Sequence, residues 1–383
     1  MLDSDLAARL GLAQHMGAGV RVAIIHYWLV QMCGGERVLE HLCRMYPDAD
    51  IFTHVVDRSA ISATILKHKI FQTFIARLPF ATRHYQKYLP LMPRALEALD
   101  LSAYDLVISC EAGPAKGIIT RPDAVHVTYC HSPMRYLWDQ YAQYHADGGA
   151  AARLLMPLFA PSLRMWDTVS AARPDRIMAN SDYIRRRIAK SWGRAATVVY
   201  PPVDTRLFAP APYATDEYLW VGQLVPYKRP DLAIDAFNQS GRKLHVIGDG
   251  AMLASLQARA GPSIRFTRRM GFSALRDAYA GARALVFTAE EDFGLIPVEV
   301  MASGRPVIAF ARGGAVETVV AEETGVFFAE KSVEALLEAL DRFESWLPAF
   351  DPARAVARAR TFSPDRFRTD FSAVVAAAWQ DRG

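Results

Sequence analysis

One alternation, run through twice, constrains this chain more than any other feature. Short apolar, β-branched runs are separated by amphipathic helical patterns. In the first half the runs are Arg21–Tyr27, Ile51–Val55, Tyr104–Ser109, Val125–Cys130 and Arg176–Ala179, and a long helical pattern covers Ala150–Ala172. In the second half they are Tyr218–Val221, Lys243–Ile247, Ile264–Phe266, Ala284–Phe287 and Pro306–Phe310. Continuous apolar strands alternating with helices call for a parallel sheet covered on both faces. Between the two series stands Val198-Val-Tyr-Pro-Pro-Val-Asp204, with Pro210 and Pro212 just beyond. Proline fixes φ and stops a helix, so this stretch reads as a stiff connector. The expected fold class is therefore α/β, with two doubly wound domains, 1–204 and 205–383. Ligands in such sheets sit beyond the carboxyl ends of the strands, so the cleft between the domains is the expected site. A last helical pattern over 364–379 follows Ser363 as N-cap; it either finishes the second domain or crosses back to the first.

With 51% apolar and 22% charged residues in 383, the chain has material for packed cores and is neither disordered nor collagen-like. No apolar run approaches the roughly 18 residues of a membrane-spanning helix. The first twenty residues carry Asp3 and Asp5 and lack a basic region followed by an apolar one, so no secretion leader is expected. Cys33, Cys43, Cys110 and Cys130 have neither metal-binding nor redox spacing, which fits a reduced, cytoplasmic enzyme. Residues 1–200 carry 23 Lys+Arg against 17 Asp+Glu, and no carboxylate lies between Asp57 and Glu97. Across 58–96, Arg58, Lys67, Lys69, Arg77, Arg83, Lys87 and Arg94 alternate with apolar residues such as Phe71, Phe74, Phe80 and Leu89. This segment is either a peripheral contact with a membrane or a phosphate-bearing partner, or a solvated helix face over a buried one. The basic residues are spread and no recognition motif accompanies them, so nucleic acid is not an expected partner.

Chemistry concentrates in Thr288-Ala-Glu-Glu-Asp-Phe-Gly-Leu-Ile-Pro-Val-Glu-Val-Met301, which follows a strand and opens a helix. The backbone N–H groups around Phe293, Gly294 and Leu295 would then point out of a helix N-terminus, a place suited to phosphate or sugar oxygens. Glu291 and Glu299 flank this turn, and ionised carboxylates accept hydrogen bonds in pairs, as vicinal sugar hydroxyls require. Acidic residues are also common as plain helix caps. No Walker A loop and no Gly-x-Gly-x-x-Gly fingerprint follows the first strand, against an NTPase or a dehydrogenase. Asp48-Ala-Asp50 precedes a strand rather than following one and reads as a polar turn, so no metal is expected.

Glu291 and Glu299, seven residues between them, in Glu-Glu-Asp-Phe-Gly-Leu-Ile-Pro-Val-Glu resemble the paired-glutamate signature of retaining glycosyltransferases of family 4, which have the GT-B fold of two facing Rossmann-like domains. Ala302-Ser-Gly-Arg-Pro-Val-Ile-Ala309, Gly313-Gly-Ala-Val-Glu-Thr318, Val221-Gly-Gln-Leu-Val-Pro-Tyr-Lys-Arg-Pro230, Ile247-Gly-Asp-Gly250, Cys130-His-Ser-Pro-Met-Arg135 and Ala179-Asn-Ser181 resemble the family in the same order. His26-Tyr-Trp28, Gly34-Gly-Glu36 and His131-Ser-Pro-Met-Arg-Tyr136 are similar to bacterial mannosyltransferases that build O-antigen, capsule and exopolysaccharide repeats on lipid carriers. The resemblance implies that Glu299 holds the nucleotide ribose and Glu291 the hydroxyls of the transferred sugar. It implies that Phe293, Gly294, Leu295 and Ile296 line sugar and phosphate through their backbone, and that Lys228, with Arg229, neutralises the donor diphosphate. Gly34 and Gly35 would let the first domain approach the same diphosphate, or form only a tight turn. His131, at the end of a strand, would meet the donor sugar or the reacting region.

Two departures stand out. Gln223 occupies a place where many members have arginine, so Arg229 or Arg269 would have to supply that charge. Arg268 stands where the family often has glycine, in the Phe266-Thr-Arg-Arg-Met270 loop near the nucleotide base, and leaves the base open. The implied activity is transfer of a hexose, mannose from GDP-mannose foremost, to a lipid-linked saccharide, with no cofactor beyond the nucleotide sugar. A UDP-hexose transferase, a nucleotide-sugar epimerase and a silent nucleotide-sugar-binding partner are the alternatives.

Overall fold

Every strand pairing in the computed structural model, which describes residues 19–147 and 149–382, is parallel. The strands form two sheets in two units: the chain up to Pro202 and again from Phe367, and Val203–Arg366. In the first unit the order is β3-β2-β1-β4-β5-β6-β7. These are β1 (Val22–His26), β2 (Asp50–Thr53), β3 (Ile70–Gln72), β4 (Leu106–Glu111), β5 (Val125–Cys130), β6 (Arg176–Ala179) and β7 (Thr197–Val198). The winding reverses between β1 and β4, whose carboxyl ends carry His26 and Glu111. β4 and β5 are buried along their whole length, as their apolar runs require. Their polar side chains satisfy one another, Ser109 Oγ lying 2.9 Å from His126 Nε2 and 2.6 Å from Thr128 Oγ1.

The second unit repeats the plan with order β10-β9-β8-β11-β12-β13. Here the strands are β8 (Tyr218–Val221), β9 (Leu244–Ile247), β10 (Ile264–Thr267), β11 (Leu285–Phe287), β12 (Val307–Phe310) and β13 (Gly325–Phe328). The reversal between β8 and β11 places Gly222 and Thr288 just past adjoining strand ends, where an open sheet holds its ligand.

The structure corrects several expectations. β3, β7 and β13 are additional strands, four residues long at most and without a periodic run of their own. Asp50 is not part of a turn: it opens β2, and its carboxylate accepts a 2.7 Å bond from Tyr104 Oη. The units meet at Pro202 and Val203, because the Val203 N–H donates to Phe362 O and ties the connector to the second unit. The second unit stops at Arg366, not at 383. In the final helix, Pro364–Gln380, the stripe Phe367, Phe371, Val375 and Ala378 is buried in the core of the first unit with Leu39 and Tyr129. The 58–96 segment is no single helix face. It comprises β3, two 3₁₀ turns and short helices, anchored by Ile75, Ala81 and Ala95 against Val55. Among the described residues no helix is long and apolar enough to cross a membrane. The reading of a missing secretion leader falls, but for Gly19 and Val20, outside the described residues.

Candidate active site

In the second unit the turn after β11 carries Glu291, and the Pro226–Lys228 turn after β8 carries Lys228. Lys228 Nζ stands 2.7 Å from Glu291 Oε1, both side chains being mostly buried. Thr288 holds these two turns together. Its hydroxyl donates to Lys228 O at 2.7 Å and accepts from Trp220 Nε1 at 3.0 Å. Neither contact can be read from sequence, because Thr288 and Trp220 look there like ordinary strand residues.

Beyond Glu291 the chain passes through Phe293 and Gly294 into the helix Leu295–Ala302. Gly294 is the N-cap at φ 85°, a left-handed conformation that favours glycine. No side chain caps this terminus and its first turn carries no acid, so the N–H groups of Leu295 and Ile296 open the helix without a side-chain acceptor. Pro297 sits in the first turn, where an N–H has no intrahelical partner in any case. Phe293 is buried with its ring edge-on to Phe362 at 5.3 Å. Glu299 is buried inside the helix and accepts a 3.1 Å bond from Tyr279 Oη.

The glycines after β12 are spacers for this turn. A Cβ on Gly313 would lie 2.5 Å from Glu291 O, and one on Gly314 would lie 2.5 Å from Phe293 O and 2.7 Å from Asp292 O. The Gly314 N–H donates to Glu291 O at 2.8 Å, so the paired glycines let one backbone lie directly on the other. The Gly222–Leu224 turn is seated the same way against Gly248–Gly250, with the Leu224 N–H donating to Asp249 O at 2.9 Å.

The remaining residues expected at a donor site divide. Gln223 is exposed at the end of β8. Arg229, left-handed at φ 52°, is paired with Asp231 at 3.0 Å, so its charge is already matched within its own turn. Arg269 is exposed, while Arg268 reaches Asp249 at 3.4 Å, where it and the Gly250 N–H hold the Asp249 carboxyl below its ordinary value. Met270 lines a cavity of about 260 Å³ with Leu219, His245 and Ala278, beside the Phe272–Gly281 helix rather than at the Glu291 turn.

In the first unit, Gly34 and Gly35 open the helix Gly34–Met45. Gly35 is a packing requirement: a Cβ there would fall well inside contact distance of Tyr27 Oη. Glu36 accepts from the Cys33 N–H at 2.9 Å and lies 3.6 Å from His26 Nε2. Burial works to raise the Glu36 pKa, but the contacts with His26 and the backbone outweigh it and lower it. His131 follows β5, its N–H donating to Glu111 O at 2.7 Å and its Nε2 standing 3.1 Å from Cys110 Sγ. Burial, reinforced by the neighbouring His26, lowers the His131 pKa to about 3, so its imidazole is neutral near pH 7 and can exchange hydrogen bonds but carries no charge.

Sequence reasoning missed a cluster below this end of the sheet. Lys116 is wholly buried, ion-paired to Asp167 and 3.6 Å from Glu111, with Trp138 and Trp192 each donating to Asp167 at 2.7 Å. Among the described residues no group of three or more His, Cys, Asp or Glu side chains is placed to hold a metal ion.

Residues 32–207 match the family model described as Glycosyltransferase Family 4, and residues 211–347 the one described as Glycosyl transferases group 1. The chain belongs to the GT-B glycosyltransferases of the family 4 type. This glycosyltransferase is 30% identical over 209 residues to a GDP-mannose-dependent alpha-(1-6)-phosphatidylinositol monomannoside mannosyltransferase of Mycolicibacterium smegmatis, covering 46% of this chain and 53% of the relative. It is 25% identical over 205 residues to the O-antigen chain mannosyltransferase RfbU of Salmonella typhimurium, covering 48% and 58%. It thus spans a little over half the length of these two relatives. Its fold is similar to that of Anabaena HepE, solved in complex with UDP and glucose, at TM-score 0.68 and 16% identity over 92% of this chain and 98% of that one.

Proposed function

We propose that this glycosyltransferase moves a hexose, with mannose from GDP-mannose as the leading donor, onto a lipid-linked saccharide of a bacterial surface polysaccharide. The observation that carries the donor site is the Lys228–Glu291 pair at 2.7 Å, set beside the uncapped N-terminus at Leu295 and Ile296. In the reaction the bond from the sugar's anomeric carbon to the donor phosphate breaks and a bond to the acceptor oxygen forms. The acceptor proton passes to the departing diphosphate, and the sugar keeps its configuration. Negative charge grows on the leaving oxygens, where an ammonium and backbone N–H groups stabilise it most effectively. In this reading Lys228 supplies the cation, Glu291 holds the sugar hydroxyls, Glu299 the ribose, and neutral His131 contacts the sugar by hydrogen bonding. No metal is required. The mannosyl donor is supported by the names of the two relatives. A UDP-hexose is the second reading, favoured by the UDP of HepE, with Arg268 in the loop near the base leaving the base open.

The test is thermal stabilisation by GDP, UDP and ADP in parallel with chelator present, followed by transfer assays on Glu291→Ala and Lys228→Ala. The reading expects a selective rise with GDP and a loss of transfer of about 100-fold or more in each variant. A selective rise with UDP moves the donor to a UDP-hexose. Full transfer by Glu291→Ala overturns the site assignment.

A further inference from the structure

We infer that the outward face of the Ala150–Ser170 helix, with the basic segment beside it, docks on an anionic lipid bilayer. The inner side of this helix is anchored: Ala160 and Leu163 pack with Met134 and Leu137, and Asp167 is buried on Lys116. Its outer side should then be polar, as on most surface helices. It is instead apolar, with Leu154 76%, Leu158 67%, Met165 66% and Val169 65% exposed. At 100° per residue these four fall within about 60° of one another and form a strip about 22 Å long. A monomeric protein in water rarely leaves such a strip uncovered.

The surroundings name the occupant. Asp167, the one acid among residues 150–170, is fully buried. Leu89 packs beside Ala160 and Leu163, so the Tyr85–Leu91 turn adjoins the helix. From this carboxylate-free segment Arg83, Lys87 and Arg94 are exposed, together with Phe80 and Leu91. The acid at this edge of the helix, Glu97, is bonded to Trp166 and paired with Arg173 at 2.6 Å, so an apolar strip beside a cationic segment complements a layer of anionic headgroups over acyl chains. A second copy of the chain would bring the same cations face to face. The strip lies in the membrane plane, since the helix, with Arg153, Arg164 and Asp167 along it, is not apolar enough to span. The inference extends the lipid-linked acceptor reading without depending on the donor site.

The experiment is co-sedimentation of the full chain, without nucleotide or acceptor, with vesicles of phosphatidylcholine alone and mixed equally with phosphatidylglycerol. The wild-type chain should sediment with the mixed vesicles. The triple variant Leu154→Ser/Leu158→Ser/Met165→Ser should bind about tenfold more weakly or worse at unchanged charge. The triple variant Arg83→Ser/Lys87→Ser/Arg94→Ser should lose the preference for anionic vesicles. Unchanged circular dichroism and melting establish that both variants fold. The inference is overturned if the wild type stays in the supernatant, or if the apolar variant sediments like the wild type. It is also overturned if light scattering shows a dimer that the apolar variant abolishes. Since no nucleotide is present, none of these outcomes bears on the donor assignment.

Discussion

Replacing Lys116 by methionine removes the charge from the most deeply buried ionic cluster in the first unit while keeping most of the side-chain volume. Lys116, Glu111 and Asp167 are all fully buried, and the ammonium also lies 4.2 Å over the Trp192 ring. In Lys116→Met, Asp167 keeps its two indole donors and Glu111 keeps the backbone N–H of residue 116, which it meets at 2.6 Å. Both carboxyls lose the cation they share. Breaking one side of a buried pair costs about 3–5 kcal/mol, equivalent to roughly 10 °C in melting temperature for a domain of this size. The cost depends on pH in a known direction. Burial pushes the Glu111 carboxyl up to about 7, with Lys116 pulling against it, so loss of Lys116 raises it further. A carboxyl raised in the folded state contributes stability below its unfolded value and loses it as pH rises through the folded value. Lys116→Met should therefore be milder at pH 5 than at pH 8, and Lys116→Met/Glu111→Gln should recover part of the loss at pH 8. The assay is urea unfolding at both values, followed by tryptophan fluorescence and by proteolysis that reports each unit separately. A cost under about 1 kcal/mol at pH 8, or a larger cost at pH 5, would refute the reasoning.

Two further outcomes follow from packing and burial. Gly35→Ala, in a helix where alanine would normally stabilise, should destabilise by about 1–3 kcal/mol because its methyl meets the Tyr27 hydroxyl. Tyr27→Phe in the same chain should recover part of the loss, since the next atom, Tyr27 Cζ, stands 3.3 Å away and needs only a small shift; a melting temperature raised by Gly35→Ala alone would contradict this. Burial lowers the pKa of His54, His126 and His131 to about 3 each, and all three lie in the first unit. The unfolded chain takes up protons on them near their ordinary value, so their contribution is intact above about pH 6.5 and falls by about 1.4 kcal/mol per histidine per pH unit below it. Glu111 offsets one of the three over part of that range. Acidification toward pH 4 should unfold the first unit before the second, and imidazole NMR signals of these residues should show no midpoint near 6.5.

Much of the fold was legible because a strand buried on both faces needs a continuous apolar run, and that signal is local. Tyr218–Val221 shows it over its full length and Ile177–Ala179 after an exposed Arg176, whereas Thr197–Val198 is too short to carry any period. The final helix displays its apolar stripe plainly, but a stripe does not say which core it enters; Tyr129, 5.6 Å from Phe367, settles that for the first unit. The site divides in the same way. Glu291, Glu299 and Gly294 stand out by spacing, because a turn that opens a helix is itself local. The grip of Thr288 on the Lys228 turn and the space left by Gly313 and Gly314 involve partners far apart in sequence. Charge is where local reading fails most clearly. Lys116 in Glu-Ala-Gly-Pro-Ala-Lys-Gly resembles a solvated surface lysine until Asp167 and two tryptophans close over it. Arg229 resembles a second phosphate-binding cation until Asp231, two residues on, is seen to hold it. A sequence lists charges but not their partners: Arg229 is held by Asp231 two residues on in its own loop, whereas Lys228 reaches Glu291 on a different turn, 63 residues away, and so joins two segments that the sequence keeps apart.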